Sequence, residues 1–472
     1  MRATAGFKAS MHDLSSFLAA HQDAIFDLRQ SVSTRHELTA LQHRLDAAAQ
    51  YPIVLARQPL LADGSASPIP VVTNLTASRA LTALALGLDD HRRSAGWFAA
   101  RSSAAIAPQV VTPREAPVRE VVEAGEEVDL TRLPVLVQHE LEPGPYLTAA
   151  HATTRDPDTG IDNTAIQRCW IRGPRLMTWF PYPSSHNAHN LQKHWDAGRT
   201  CPVAFWIGHH PAVLLGTQAK LAYPQSHWEA AGGVLGAPLR LVPSLTHGSD
   251  ILVPADAEIV IEGFAAPGNV GPDGPFGEYT GYLGPAVTAP LVDVTCITRR
   301  RTAIYHDYGS GLTDMLVPDN MAMEGKLYGM IKAVAPSLRN VYVPASGRRF
   351  HAWLQLTNPQ PGEARDALAA ALAYRRLKTA IAVEEDVDIF DEQEMLWALA
   401  TRVQWSRDSQ LLTGLSTSTL DPSLPAGERT ASKLGIDATS RRTAPRATIP
   451  GEASARAAQF LAGVDTSGWP AA

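Results

Sequence analysis

Apolar positions recur at helical spacing near both ends of this chain and alternate like strands through its middle. Residues 12–50 read as two helices. Asp13-Leu14-Ser15-Ser16-Phe17-Leu18 opens the first with capping residues, and Leu38, Leu41, Leu45 and Ala48 share one face of the second. Residues 51–110 mix short strands with loops and one helix at Ser78–Leu88. The proline-rich stretch 107–119 (Pro108, Pro113, Pro117) marks a crossing between domains. Short strands follow. Ile251–Gly263 alternates best near its end, and Leu291–Arg300 and Thr302–Asp307 are further strands. Helical spacing returns after about residue 320. It predicts helices at Ala322–Val334, Ala364–Leu377 and Glu392–Arg402, the last with Met395, Leu396, Leu399 and Ala400 on one face. Lys378–Val383 reads as a buried strand, and the polar, Gly/Pro/Ser-rich Pro422–Pro450 as a loop or extended tail. No internal repeat is evident. The fold class is therefore α/β (α+β): an α/β part, a β-rich middle, and a second α/β part.

Composition narrows this picture. A chain of 472 residues with 45% apolar and 19% charged residues is globular and too long for one ordinary core. A net charge of −6 leaves no basic footprint for nucleic acid. Cys169, Cys201 and Cys296 are too few and too scattered for a disulfide framework or a thiolate metal site, which fits a reducing compartment. No apolar run reaches the roughly 18 residues that span a bilayer. The first residues lack the apolar core of a signal peptide, so a soluble, cytoplasmic protein without membrane partners is expected.

Candidate chemistry concentrates in the middle. The run Gly271-Pro272-Asp273-Gly274-Pro275-Phe276-Gly277-Glu278-Tyr279 sets two carboxylates five residues apart on a stiff loop. That is either positioned acid chemistry or a surface turn with solvated acids. Upstream lie Asn163 to Arg168, then His186, His189 and His194, then Gln218 to Glu229. His186 and His189 are spaced as a metal pair on a helix face or as solvated loop histidines. His209 and His210, adjacent on a strand, point apart and read as structural. Dinucleotide, P-loop, serine-hydrolase and zinc-protease motifs are missing.

Taken in order, these segments resemble the UbiD family of reversible decarboxylases, which use prenylated FMN. The resemblance is carried by Pro117–Val122, Val128–Pro134, Gly144–Ala149, Thr154–Pro157, Asn163–Arg168, Val253–Gly263, Gly274–Glu278, Leu396–Arg402 and Ser432–Thr439. It implies an N-terminal α/β region (1–115), a split β-barrel that holds the flavin (116–315), and a C-terminal α/β oligomerisation domain with an extended tail (316–472). It also implies a homodimer or higher homo-oligomer, supplied with cofactor by a flavin prenyltransferase.

Carried over by motif, Asn163, His186 and Glu229 are implied ligands of Mn²⁺ or Mg²⁺ at the flavin phosphate, with His227 as the alternative to Glu229 and K⁺ beside the metal. Ile166, Arg168, Ser185 and Ala219 complete the implied cofactor contacts. Arg168 is implied to hold a substrate carboxylate, Glu278 to donate the proton, and Asp273 to orient both. Most relatives carry glutamate where Asp273 stands, so the shorter side chain is expected to reach Arg168 through water or a shifted loop. Asn163 and Arg168 lie five apart. Both can serve one site only if the strand ends or bulges between them. Tyr279, together with Met315, Leu316, Pro318, Asn320 and Met321 in a loop after the barrel, are candidates for the substrate pocket; ordinary core packing is the alternative. The implied reaction is decarboxylation of an α,β-unsaturated, polyketide-like or aromatic acid. An FMN redox enzyme or non-catalytic flavin protein on the same barrel, and a histidine-based metal hydrolase, are the competing readings.

Overall fold

A computed structural model describes residues 13–425, 427–439 and 446–465. Helix α1 (Leu14–Ala20) starts where expected, with the Asp13 carboxylate accepting from the Ser16 amide. A strand, Ile25–Ser33, separates it from α2 (Glu37–Ala47), so residues 12–50 are not simply two helices. That strand lies at the edge of a four-stranded sheet and carries Asp27 and Arg29, which interrupt its apolar alternation. Tyr305–His306, far away in sequence, completes the same sheet beside Val71–Thr73. Helix α3 (Arg79–Ala85) is capped by Ser78, and α4 (Ser94–Ser103) follows.

The middle of the chain forms a curled antiparallel half-barrel of ten strands around the long strand Val287–Arg299. Val287–Arg299 pairs with Ile259–Ala265, which pairs with Cys201–Ile207; next come His151–Arg155 and Asp162–Ile166. Alternate residues of Cys201–Ile207 enter two cores. Val203, Phe205 and Ile207 face one; Ala204 and Trp206 face the other, with α6 (Pro211–Gly216) and α7 (His227–Leu235). Helix α5 (His186–Asp196) packs on the neighbouring strands. The segment Ile251–Gly263 is two strands, not one. Gly248–Pro254 joins a three-stranded sheet, and Ile259–Ala265 joins the half-barrel. Pro254, which has no N–H to give a ladder, sits at the break.

Helix α8 (Thr313–Lys332) begins nine residues before the predicted Ala322 and contains Pro318. Proline removes the bond to the carbonyl four residues back. Here that carbonyl, on Asp314, accepts from the Thr76 hydroxyl (3.0 Å), so the helix runs on. A five-stranded sheet follows, with Thr430–Asp437 parallel to Thr379–Glu384. Residues 422–450 are therefore not uniformly a tail. Their polar composition conceals Lys433, buried in that strand with its ammonium on the carbonyls of Leu372 and Tyr374, just past α9 (Glu363–Leu372). Helix α10 (Glu392–Arg402) has the expected ends but another inner face: Met395, Ala398 and Arg402 are buried, while Leu396 and Ala400 are exposed. A short helix α11 (Trp405–Asp408) leads to the edge strand Ser409–Ser416, and α12 (Gly451–Leu461) is exposed along its length. Among the described residues no helix is long and apolar enough to cross a membrane.

Candidate active site

Strand Asp162–Ile166 ends before Arg168, and the next strand begins at Cys169. The required break between Asn163 and Arg168 is therefore present, and Arg168 projects from the connection. Asp273 closes strand Val270–Asp273, and Glu278 follows the short strand Phe276–Gly277. These three side chains meet. Arg168 donates through Nε (2.9 Å) to Asp273 Oδ2, which also lies 2.8 Å from its second guanidinium nitrogen. The remaining nitrogen reaches Glu278 Oε1 at 2.5 Å. The shorter Asp273 needs no bridging water: two guanidinium nitrogens reach its Oδ2 directly. Its other oxygen accepts from the Thr178 hydroxyl (2.7 Å). The rings of Phe180 and Phe276 lie 4.3 and 5.0 Å from the guanidinium carbon and leave the arginine little freedom. The Tyr146 hydroxyl accepts from the Gly274 amide (2.8 Å) and fixes the loop between the two acids.

Burial decides the electrostatics. Asp273 is fully buried and Glu278 nearly so. Desolvation pushes the Glu278 carboxyl above the usual carboxylate range, although Arg168 pulls the other way. The site thus holds a cation beside a carboxyl inclined to keep its proton.

A second group of expected residues gathers around the strand Asp162–Ile166. Asn163 is buried, and its amide donates to Asn187 Oδ1 (2.6 Å), one residue into α5 from His186. Ser185 caps α5, and Gln167 reaches the Ser185 hydroxyl (3.3 Å). Asp162 accepts from the Ser226 hydroxyl and the His227 amide, which ties the N-terminus of α7, with Glu229 in its first turn, to the same strand. His186 and His227 face each other with ring centroids 6.2 Å apart. Burial holds His186 below its ordinary value and brings His227 down to about 3. Nδ1 of His227 and Nε2 of Gln218 are buried with no hydrogen-bond partner among the described residues, and Ala219 is buried beside Gln218. Ile166 ends the strand half-buried. His189 is exposed on α5, so the histidine run is helical rather than a loop. Among the described residues no three His, Cys, Asp or Glu side chains form a metal-ligating group. His209 and His210 lie past the end of their strand. His209 Nδ1 accepts from the His210 amide, and His210 caps α6.

The pocket candidates sit on helix α8 and not in a loop. Leu316 and Asn320 line a cleft with Arg79, Tyr342 and Arg348. Met321 packs into a core, Pro318 is buried, and the Met315 carbonyl accepts from Arg349 (3.0 Å). Tyr279 is buried next to Glu278, with its hydroxyl on Ser418 (2.9 Å) and Arg349 over its ring. Sequence reasoning missed Thr178, Arg349 and Ser418, single residues without a period or spacing to mark them. Tyr146 lay inside a quoted segment, but nothing in that segment gave it a role.

Comparison with known proteins identifies the family. Residues 109–312 match the Rift-related domain model of 3-octaprenyl-4-hydroxybenzoate carboxy-lyase. Residues 21–97 match its N-terminal domain and residues 320–438 its C-terminal domain. The UbiD-class enzyme HmfF from Pelotomaculum thermopropionicum, solved in complex with FMN, is 34% identical over 95% of this chain and 100% of its own, with a TM-score of 0.88. An evolved dimeric form of HmfF, solved with prenylated FMN, is 33% identical over 95% of this chain and 100% of its own (TM-score 0.86). The 3,4-dihydroxybenzoic acid decarboxylase AroY from Klebsiella pneumoniae is 25% identical over 94% of this chain and 99% of its own (TM-score 0.84). This chain belongs to the UbiD family of carboxy-lyases.

Proposed function

We propose that this carboxy-lyase removes CO₂ from an aromatic or α,β-unsaturated acid, with prenylated FMN bound beside Arg168, Asp273 and Glu278. The observation that carries the reading is one buried arginine shared by two carboxylates, one of which is pushed toward its acid form. Departure of CO₂ from an sp² carbon leaves an electron pair that no side chain here can accept; the bound flavin supplies that sink. Arg168 pairs with the substrate carboxylate and orients the bond to be broken. Asp273, braced by Thr178, holds the guanidinium in place during this exchange. Glu278 then gives its proton to the carbon that CO₂ has left, and the product departs carrying hydrogen in place of the carboxylate.

The residues around Asn163 suit the cofactor's phosphate and metal. Were Mn²⁺ or Mg²⁺ bound at the phosphate, the Asn163 amide oxygen, the neutral His186 imidazole and the Glu229 carboxylate would be its donors, and K⁺ would be the accompanying cation. The N-termini of α5 and α7 both lie at this strand and favour an anion. The unpartnered buried nitrogens of His227 and Gln218 are further donors in the same neighbourhood. Tyr279, Leu316 and Asn320 are the side chains assigned to substrate selection, and a homodimer is the proposed assembly.

Native mass spectrometry with an absorption spectrum, on protein co-expressed with a flavin prenyltransferase, tests this reading. Prenylated FMN plus one divalent metal is the expected result. Ordinary FMN bound equally well, or metal without flavin, would overturn it.

A further inference from the structure

The backbone N–H of Gly277, directly before Glu278, is buried and donates to Glu142 Oε1 (3.1 Å). His139 Nδ1 lies 2.7 Å from the same oxygen. Glu142 Oε2 accepts from the amides of Gln138 (2.9 Å) and His139 (3.1 Å). A carboxylate with no exposed side-chain surface is thus surrounded by four donors. Burial drives its carboxyl upward, but the His139 imidazole and the neighbouring amides hold it below the usual carboxylate range.

The imidazole also sets the shape of the loop. A Cβ placed on Gly277 would fall 2.3 Å from His139 Cε1 and 2.4 Å from Nδ1. Glycine at 277 is what lets the backbone close on this ring. Beside it, the Gln138 side chain donates to Asp307 (2.6 Å) and to the Tyr308 carbonyl (2.7 Å). The platform under Glu278 is therefore tied to the core on its far side.

We propose that His139 is a positioning residue for the decarboxylation: its Nδ1–H holds Glu142, Glu142 holds the Gly277 amide, and the backbone that presents Glu278 to Arg168 is fixed. This rests on Glu278 being the proton donor. Asparagine places its amide nitrogen near the position of Nδ1, and glutamine places it near Nε2. Only His139→Asn keeps the donor to Glu142.

Hydrogen exchange of the peptide Val270–Leu283, which holds the Gly277 amide in its interior, tests the link in flavin-loaded enzyme without any substrate. His139→Ala and His139→Gln are expected to speed exchange at Gly277 about tenfold, the scale of one lost bond to a charged group, while His139→Asn stays near wild type. On an acid that the wild type decarboxylates, kcat is expected to follow the same order with KM within about twofold. Should His139→Ala fail to fold, the Asn and Gln variants decide the matter. Unchanged exchange in the Ala or Gln variant, or an Asn variant as impaired as Gln, would overturn the proposal. If no acid releases CO₂, the exchange measurements still decide the role of His139, and the failure belongs to the proposed activity.

Discussion

At the scale of single residues, the account turns on Glu278 acting as an acid. Burial raises its carboxyl, so the protonated form survives at higher pH than for a free glutamate and is lost as pH rises through that raised value. The expected kcat profile therefore falls on its alkaline side. Asp273 contributes to the upward shift, so Asp273→Asn should move the alkaline limb to lower pH; a limb that stays in place would contradict the assignment. Arg168, Asp273 and Glu278 were legible in the sequence because their types and order carry the family resemblance. The Thr178 hydroxyl that braces Asp273 was not, since a lone threonine on a strand has no pattern to betray it. Aspartate in place of glutamate proved a lesser departure than its length implied. Two nitrogens of the Arg168 guanidinium reach Asp273 Oδ2, leaving the third for Glu278.

At the scale of elements, the sequence pattern found α1, α2, α3, α8, α9 and α10 but not α4 to α7, α11 or α12, and it misplaced the start of α8, which depends on a distant partner. The sequence reading starts α8 at Ala322 and puts Pro318 in a loop, whereas the helix begins at Thr313 and runs through the proline. The Thr76 hydroxyl, 238 residues away from Asp314, satisfies the carbonyl that the proline leaves open. The same contact makes a stability prediction. Asp314 is buried in the first turn of α8, with its carboxylate on the Asn74 and Thr76 amides. Desolvation lifts it from 3.8 to about 6. The folded state then binds a proton more tightly than the unfolded chain. This contribution is fully present below pH ~4 and lost as pH rises through ~6, a change of about 3 kcal/mol. Urea unfolding at pH 4 and pH 7 should show wild type losing roughly that much more than Asp314→Asn. Equal losses would remove Asp314 as the source. Strand Thr430–Asp437 was hidden for a related reason. Its buried Lys433 reads as surface until the carbonyls at the end of α9 are seen to receive it.

At the scale of the whole molecule, one half-buried carboxylate joins the half-barrel to the C-terminal sheet. Asp319 on α8 meets Lys220 from the half-barrel side, and Arg349 (3.2 Å) and Arg376 (2.6 Å) from the C-terminal side. Removing it leaves buried Arg349 facing the half-buried Lys220 and Arg376, so Asp319→Ala should cost about 3 kcal/mol and split the calorimetric transition. A single transition at the wild-type temperature would show that the cluster does not join them. Arg349 also lies over Tyr279, which places the joint against the loop that carries Glu278. The order of the three parts was visible in the sequence; this long-range joint was not, because its four members come from four separate stretches of chain. The most direct test of the central claim is CO₂ release from a panel of aromatic and unsaturated acids by protein loaded with prenylated FMN, wild type against Glu278→Gln. The account predicts release by the wild type and a loss of about 10²–10⁴ in the variant with flavin and metal content unchanged. A variant within a few-fold of wild type, equally loaded, would contradict it.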